Sequence, residues 1–148
     1  MFESIVVGTD GSDTAAVAVA LAIELAQAVG ARLQIVSAYE PIAEHHVRAT
    51  RLQAAADVQW MVHPRADVLE LLEAAQRDAQ TAGVSTIETF ARVGDAADAI
   101  IDVAEEQRCD LIVIGNKGMT GATRFLLGSV PNKVSHHAPC SVLIVRTG

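Results

Sequence analysis

The chain has 148 residues, 51% hydrophobic and 20% charged, with a net charge of −7. That length suits one domain, residues 1–148, around a single core, and that composition excludes a disordered chain. Aromatic residues make up only 3%, so Val, Ile, Leu and Ala must fill the core, while the negative charge, with no Lys/Arg run to reverse it locally, argues against nucleic acid as a partner.

The opening Met1-Phe2-Glu3-Ser4 has neither the basic region nor the apolar run of an export signal. No stretch approaches the roughly 18–20 apolar residues that span a bilayer. A cytoplasmic protein with no membrane association is therefore expected. Ile5-Val6-Val7 is a short, β-branched, non-alternating run, as expected of a strand covered on both faces. Ser12 can cap a helix running to about Val29, where Gly30 supplies a left-handed stop. Leu33-Gln34-Ile35-Val36 is a weaker strand candidate.

Residues 40 to 65 are long for a plain loop. They hold Trp60, His45, His46, His63, Arg48 and Arg51, and part of them, 44 to 57, has the makings of an irregular helix. The segment reads either as a flap over a site or as a crossover with no ligand role. Beyond it, Val68, Leu71, Leu72, Ala75, Ala79 and Ala82 recur at helical spacing, with Gly83 as the stop. Residues 86 to 90 form a second weak strand. Ala96, Ala99, Ile100, Val103 and Ala104 make a helical stripe behind an Asp95 cap. Leu111 to Ile114 and Val142 to Val145 are strong strands, and a short helix from Val130 to His137 stands between them, with Pro131 tolerated in its first turn. Cys109 and Cys140 lack any metal spacing and read as small core residues near strand ends, kept reduced.

Strands and helices thus alternate. That order implies an α/β fold: an open five-stranded parallel sheet, Rossmann-like, of order 3-2-1-4-5, with helices on both faces. In such a sheet, ligands bind beyond the carboxyl ends of the strands where the order reverses. Two polar, glycine-rich ends would meet there: Gly8-Thr9-Asp10-Gly11-Ser12 after the first strand, and Gly115-Asn116-Lys117-Gly118, continuing to Gly128-Ser129, after the fourth. Glycines let a backbone approach a ligand closely, and a helix opening at Gly128-Ser129 presents free N–H groups to an anion. Ser129 could act as helix cap, phosphate donor, or both. Neither a Walker A loop nor a Gly-x-Gly-x-x-Gly fingerprint is present, which removes P-loop hydrolases and nicotinamide enzymes.

Gly115-x2-Gly118-x9-Gly128-Ser129, the opening Ile5 to Ser12 and the ending Pro139 to Arg146 together resemble the universal stress protein family, over essentially the whole chain. The resemblance implies an adenine-nucleotide-binding sensor or regulator of the stress response. Asp10 would lie near ribose and phosphates and could hold Mg²⁺ with them. Ala38, and the surroundings of Gly8 and Thr9, would contact adenine. Ile114, Gly115, Asn116, Lys117, Gly118 and Thr120 would wrap ribose and phosphates, and Gly128, Ser129 and Val130 would hold the phosphate chain. ATP is modestly favoured, with AMP and cyclic AMP as alternatives, because Pro131 lacks an N–H that a long phosphate chain could use. The resemblance also implies a homodimer through the edge strand Ser141 to Val145. No nucleophile, base and orienting group can be assembled from the sequence, so the binding reading leads; slow ATP hydrolysis beside an Asp10-held Mg²⁺, or self-phosphorylation on Thr120, Thr123 or Ser129, are its enzymatic alternatives.

Overall fold

The computed structural model describes residues 1–40, 63–116 and 128–146. The expected irregular helix within residues 44–57, and Lys117, Gly118, Thr120 and Thr123, lie outside them.

Chain order gives β1 (Ser4–Gly8), α1 (Asp13–Val29), β2 (Arg32–Glu40), β3 (His63–Pro64), α2 (Arg65–Thr81), β4 (Ile87–Val93), α3 (Ala96–Glu106), β5 (Leu111–Gly115), α4 (Ser129–His137) and β6 (Ser141–Val145). The five main strands run parallel in the order β4-β2-β1-β5-β6. Numbered along the chain, that is the expected 3-2-1-4-5. The two-residue β3 adds to β2 opposite Tyr39 and Glu40. Tyr39 already pairs with Val93 of β4 on one side, so β3 must occupy the other, the row that β1 fills lower down.

The central strands β1 and β5 are buried at every position, which explains their unbroken aliphatic sequence. Two cores result. On one face Ile5, Val7, Leu33, Ile35 and Val113 pack beneath Val19, Ile23, Val68 and Leu72 of α1 and α2. On the other, Val6, Val36, Ile112 and Ile114 pack beneath Ile100, Val103, Val130 and Val134 of α3 and α4. Gln34 is buried in β2 despite its amide, and its Oε1 accepts from Ser4 Oγ at 3.1 Å and Cys109 Sγ at 3.3 Å. Its oxygen is thereby satisfied, as burial demands.

Helix ends follow the sequence closely. Ser12 Oγ accepts from the Ala15 amide at 3.2 Å, Gly30 takes φ +72° at the end of α1, and Asp95 Oδ2 accepts from the Asp98 amide at 2.9 Å. Three boundaries differ. β2 continues to Glu40 and β4 to Val93, because Ser37, Ala38 and Tyr39 pair with Ala91, Arg92 and Val93 although these residues carry little strand signal of their own. The cap of α4 is Gly128, with Ser129 as first helical residue.

Candidate functional site

The register of β1 against β5 pairs Ile5 with Leu111 and Val7 with Val113. One step further it sets Thr9 beside Gly115, so the two glycine-rich ends are neighbours. Here the chain leaves β1 for α1 on one face and β5 for α4 on the other. In an open parallel sheet such a reversal is where a ligand crevice is expected.

The two loops offer different chemistry. After β1, the Thr9 amide donates to Val36 O at 3.0 Å, the Gly11 amide to Thr9 Oγ1 at 3.2 Å, and the Ser12 amide to Asp10 Oδ1 at 2.9 Å. Those donors are consumed in holding the turn, in which Gly11 takes φ +82°. What this side brings to a ligand is side chains and shape. Asp10 is 1% exposed and Thr9 2%. Gly8 serves packing: a Cβ there would strike Ile100 of α3, with Cγ1 only 2.9 Å away. The glycine lets α3 approach the end of β1. Ala38, near the end of β2, is buried on the face of α3 and α4.

After β5, the Asn116 amide donates to Val145 O and Asn116 O accepts from the Gly128 amide, both at 3.0 Å. The start and finish of the glycine-rich stretch are thus pinned together at the end of β5. From there α4 begins with a glycine cap and no side-chain hydrogen bond. Its first intrahelical bond is Asn132 N to Gly128 O, at 3.1 Å. Pro131 has no N–H. The amides of Ser129 and Val130 have no hydrogen-bond partner among the described residues. The other helix starts carry acidic groups: Asp13 in α1, Asp67 in α2, Asp95 and Asp98 in α3. The first turn of α4 has none. Its positive dipole end meets no acidic group in its own first turn, which is what an anion site requires.

Two cations among the described residues, Lys133 and Arg92, are engaged elsewhere. Lys133 bridges Asp98 at 2.9 Å and Asp95 at 3.3 Å, and the hydrogen bonds to both carboxylates push its ammonium pKa up. Arg92 forms a two-pronged pair with Glu106, at 2.6 and 3.0 Å. Neither points to a phosphate. His136 Nδ1 lies 2.9 Å from the Asn132 carbonyl at the end of α4, in keeping with a structural role. Among the described residues, no group of three or more His, Cys, Asp and Glu side chains could hold a metal ion.

A family model described as the universal stress protein family matches residues 1–146. The chain belongs to the universal stress protein family. A universal stress protein of Mycobacterium tuberculosis is 40% identical over 146 residues, covering 99% of this chain and 97% of that one. A Thermus aquaticus universal stress protein is 36% identical over 153 residues, covering 99% and 100%. Among solved structures, a universal stress protein in complex with cAMP aligns at 37% identity and TM-score 0.73, covering 99% of both chains. The universal stress protein UspA from Lactobacillus plantarum aligns at 27% and 0.75, covering 97% of both.

The structure brings Gly8, Thr9, Asp10, Ile114, Gly115, Asn116, Gly128, Ser129 and Val130 to one end of the sheet, with Ala38 at the adjoining end of β2. Ser37 and Glu40, both buried at that end of β2, were not among the residues expected from sequence. Their signal was present: polar residues continuing a buried strand where apolar ones would be expected.

Proposed function

We propose that this chain binds an adenine nucleotide in the crevice between the ends of β1 and β5, and that binding regulates a stress response. The single observation that carries the reading is the start of α4: a glycine cap, two amides without a partner among the described residues and no acidic residue, pinned to Asn116 at the end of β5. The phosphate sits on the amides of Ser129 and Val130, with Gly128 letting it approach the helix start closely, and Lys117, Gly118 and Thr120 join it on the strength of the signature. The base lies toward Thr9, Gly8 and Ala38.

Cyclic AMP is the ligand best matched to this helix start. Proline at its third position leaves fewer donors than a triphosphate can use, and the protein solved with cAMP is 37% identical over 99% of the chain. ATP is the second reading, favoured by the complete Gly-x2-Gly-x9-Gly-Ser spacing. In that case Asp10 is the residue that would bring a carboxylate to a phosphate-bound Mg²⁺, in the usual way of one or two carboxylates plus phosphate oxygens. Calorimetric titration with cAMP, AMP and ATP, with and without Mg²⁺, tests both. Saturable binding of cAMP at lower concentration than ATP is expected, and no heat from any of the three would end the proposal.

The working form we propose is a cytoplasmic homodimer paired through β6. Among the described strands this one has a neighbour, β5, on one side only, and Leu143 is 37% exposed on it. An uncovered apolar edge is usually paired or protected. Light scattering reads the mass, with a monomer at all concentrations as the opposing result.

A further inference from the structure

On the other face of the sheet, α1 lies over β1 and β5 while α2 lies over β2 and β4. The sheet fixes their separation, and the residues facing across the gap are too small to close it. A cleft of about 320 Å³ remains, with Val19, Ala20 and Ile23 on one wall and Leu71, Ala74 and Asp78 on the other. Thr9 closes one end. A cavity of about 150 Å³ holds benzene, and ligand pockets start near 300 Å³. This cleft has room for roughly a six- to eight-carbon chain or a bicyclic ring.

Its charge is one-sided. Asp67, Leu71, Ala74 and Asp78 follow one another at helical spacing along α2, and a smaller recess lined by Asp10, Gly11, Asp67 and Leu71 adjoins the cleft at Gly11 and Leu71. Asp78 and Asp67 have no salt-bridge partner among the described residues. No Lys or Arg lines either recess, and α1 contains none. The two arginines of α2 are occupied: Arg65 lies over the Tyr39 ring at 5.9 Å, and Arg77 pairs with Glu73 at 3.8 Å. One further group stands unmet. Ser37 is 3% exposed, its Oγ has no hydrogen-bond partner among the described residues, and the pairing of Gly8 with Val36 places it beside Thr9 on this same face.

We propose that the cleft between α1 and α2 is a second ligand site, separate from the nucleotide crevice, for a small apolar molecule carrying an amine. The apolar walls take the body of the molecule, and the carboxylate of Asp78 takes its ammonium group. The two ligands approach opposite faces of the sheet and share only the β1–α1 turn, where Thr9 and Asp10 stand back to back in sequence.

Three probes that differ only in the head group test this: hexylamine, hexanol and hexanoate, each titrated into isotopically labelled protein while the amide signals of Ala16, Ala20, Ala74 and Asp78 are followed. Hexylamine is expected to shift these signals saturably, hexanol about tenfold more weakly, and hexanoate not at all. Asp78→Asn should bring hexylamine down to the level of hexanol. Ala20→Leu, at an exposed position, should fill the cleft and remove binding of hexylamine while the cAMP titration is unchanged; Ala74→Leu repeats the test from the opposite wall. Equal binding of hexanoate and hexylamine, shifts that map to the start of α4, or no saturable shift with hexylamine would each overturn the proposal.

Discussion

Gly8 offers a direct test of how the end of β1 is built. Its φ is not in the left-handed region, so alanine meets no backbone objection and even gains about 0.4–1 kcal/mol from a stiffer unfolded chain. The obstacle is space. An added methyl would overlap Ile100 Cδ1, with Ile100 Cγ1 at 2.9 Å, and Ile100 is itself only 2% exposed, so it has nowhere to go. Overpacking of this kind costs about 1–3 kcal/mol. For a chain of this length that lowers Tm by roughly 2–4 °C per kcal/mol. Ile100→Ala removes both offending atoms and alone costs about 2–5 kcal/mol for the cavity it leaves. The double variant is the decisive measurement. If the clash is real, the methyl added by Gly8→Ala enters the space vacated by Ile100, and the double variant is more stable than the sum of single losses by at least about 1 kcal/mol. Urea unfolding of the four proteins supplies the cycle. Coupling within about 0.5 kcal/mol of zero, or a Gly8→Ala variant as stable as the parent, would refute the reasoning.

Pro131→Ala restores an N–H to the first turn of α4; one extra hydrogen bond to a charged group is worth about 1.5–3 kcal/mol, so calorimetry should show ATP affinity rising about tenfold or more, with cAMP gaining less. Ser12→Ala removes the bond to the Ala15 amide and should cost about 0.5–2 kcal/mol in urea unfolding, whereas Ser129→Ala, which removes no cap, should leave stability unchanged. The hydrogen bond from Arg92 holds the Glu106 carboxyl below its ordinary value of 4.5. A lowered folded value means that the pair stabilises the fold above the ordinary value and that this is lost as pH falls through the lower folded value. The stability gap between the parent and Glu106→Gln should therefore be constant at neutral pH and close below pH 4.5. Burial pushes the Cys140 thiol up to about 11 from 9.0, so at pH 8 it carries roughly a hundredfold less thiolate than an ordinary cysteine, and mass spectrometry should find its alkylation slowed accordingly.

Most of the fold was legible because its signals are local and redundant. Ile5-Val6-Val7 and Leu111 to Ile114 are apolar at every position and rich in β-branched residues, a pattern that suits strands covered on both faces. Ser12, Gly30 and Asp95 mark helix ends with side chains or conformations that few other positions require. The misjudged strand ends were illegible for the opposite reason. Ser37 to Tyr39 and Ala91 to Val93 are strands because each is the other's partner, and no single stretch of sequence contains that fact. The site was half legible. Glycine spacing located the two loops, but it could not say which amides are spent: those of Gly11 and Ser12 close their own turn, and those of Ser129 and Val130 have no partner among the described residues. Gly8 was also assigned to the ligand by sequence, while its contact with Ile100 shows a packing demand that only the helix on the far side of the strand imposes.

That difference between the loops also bears on why a glycine caps α4. Glycine is only a few tenths of a kcal/mol worse than serine as a cap, so leaving the helix start bare costs the fold little. A serine or aspartate cap would do more than stabilise: its oxygen would occupy the second or third amide and place partial or full negative charge where a phosphate must come. Proline at the third position removes one of the amides a cap would have used, so the helix start has two donors and no competitor for them among the described residues. Gly128→Asp should therefore separate stability from binding, raising the urea midpoint slightly while weakening nucleotide binding by a large factor. A variant that gains stability and keeps its affinity would show that the anion, if bound, is held somewhere other than the start of α4.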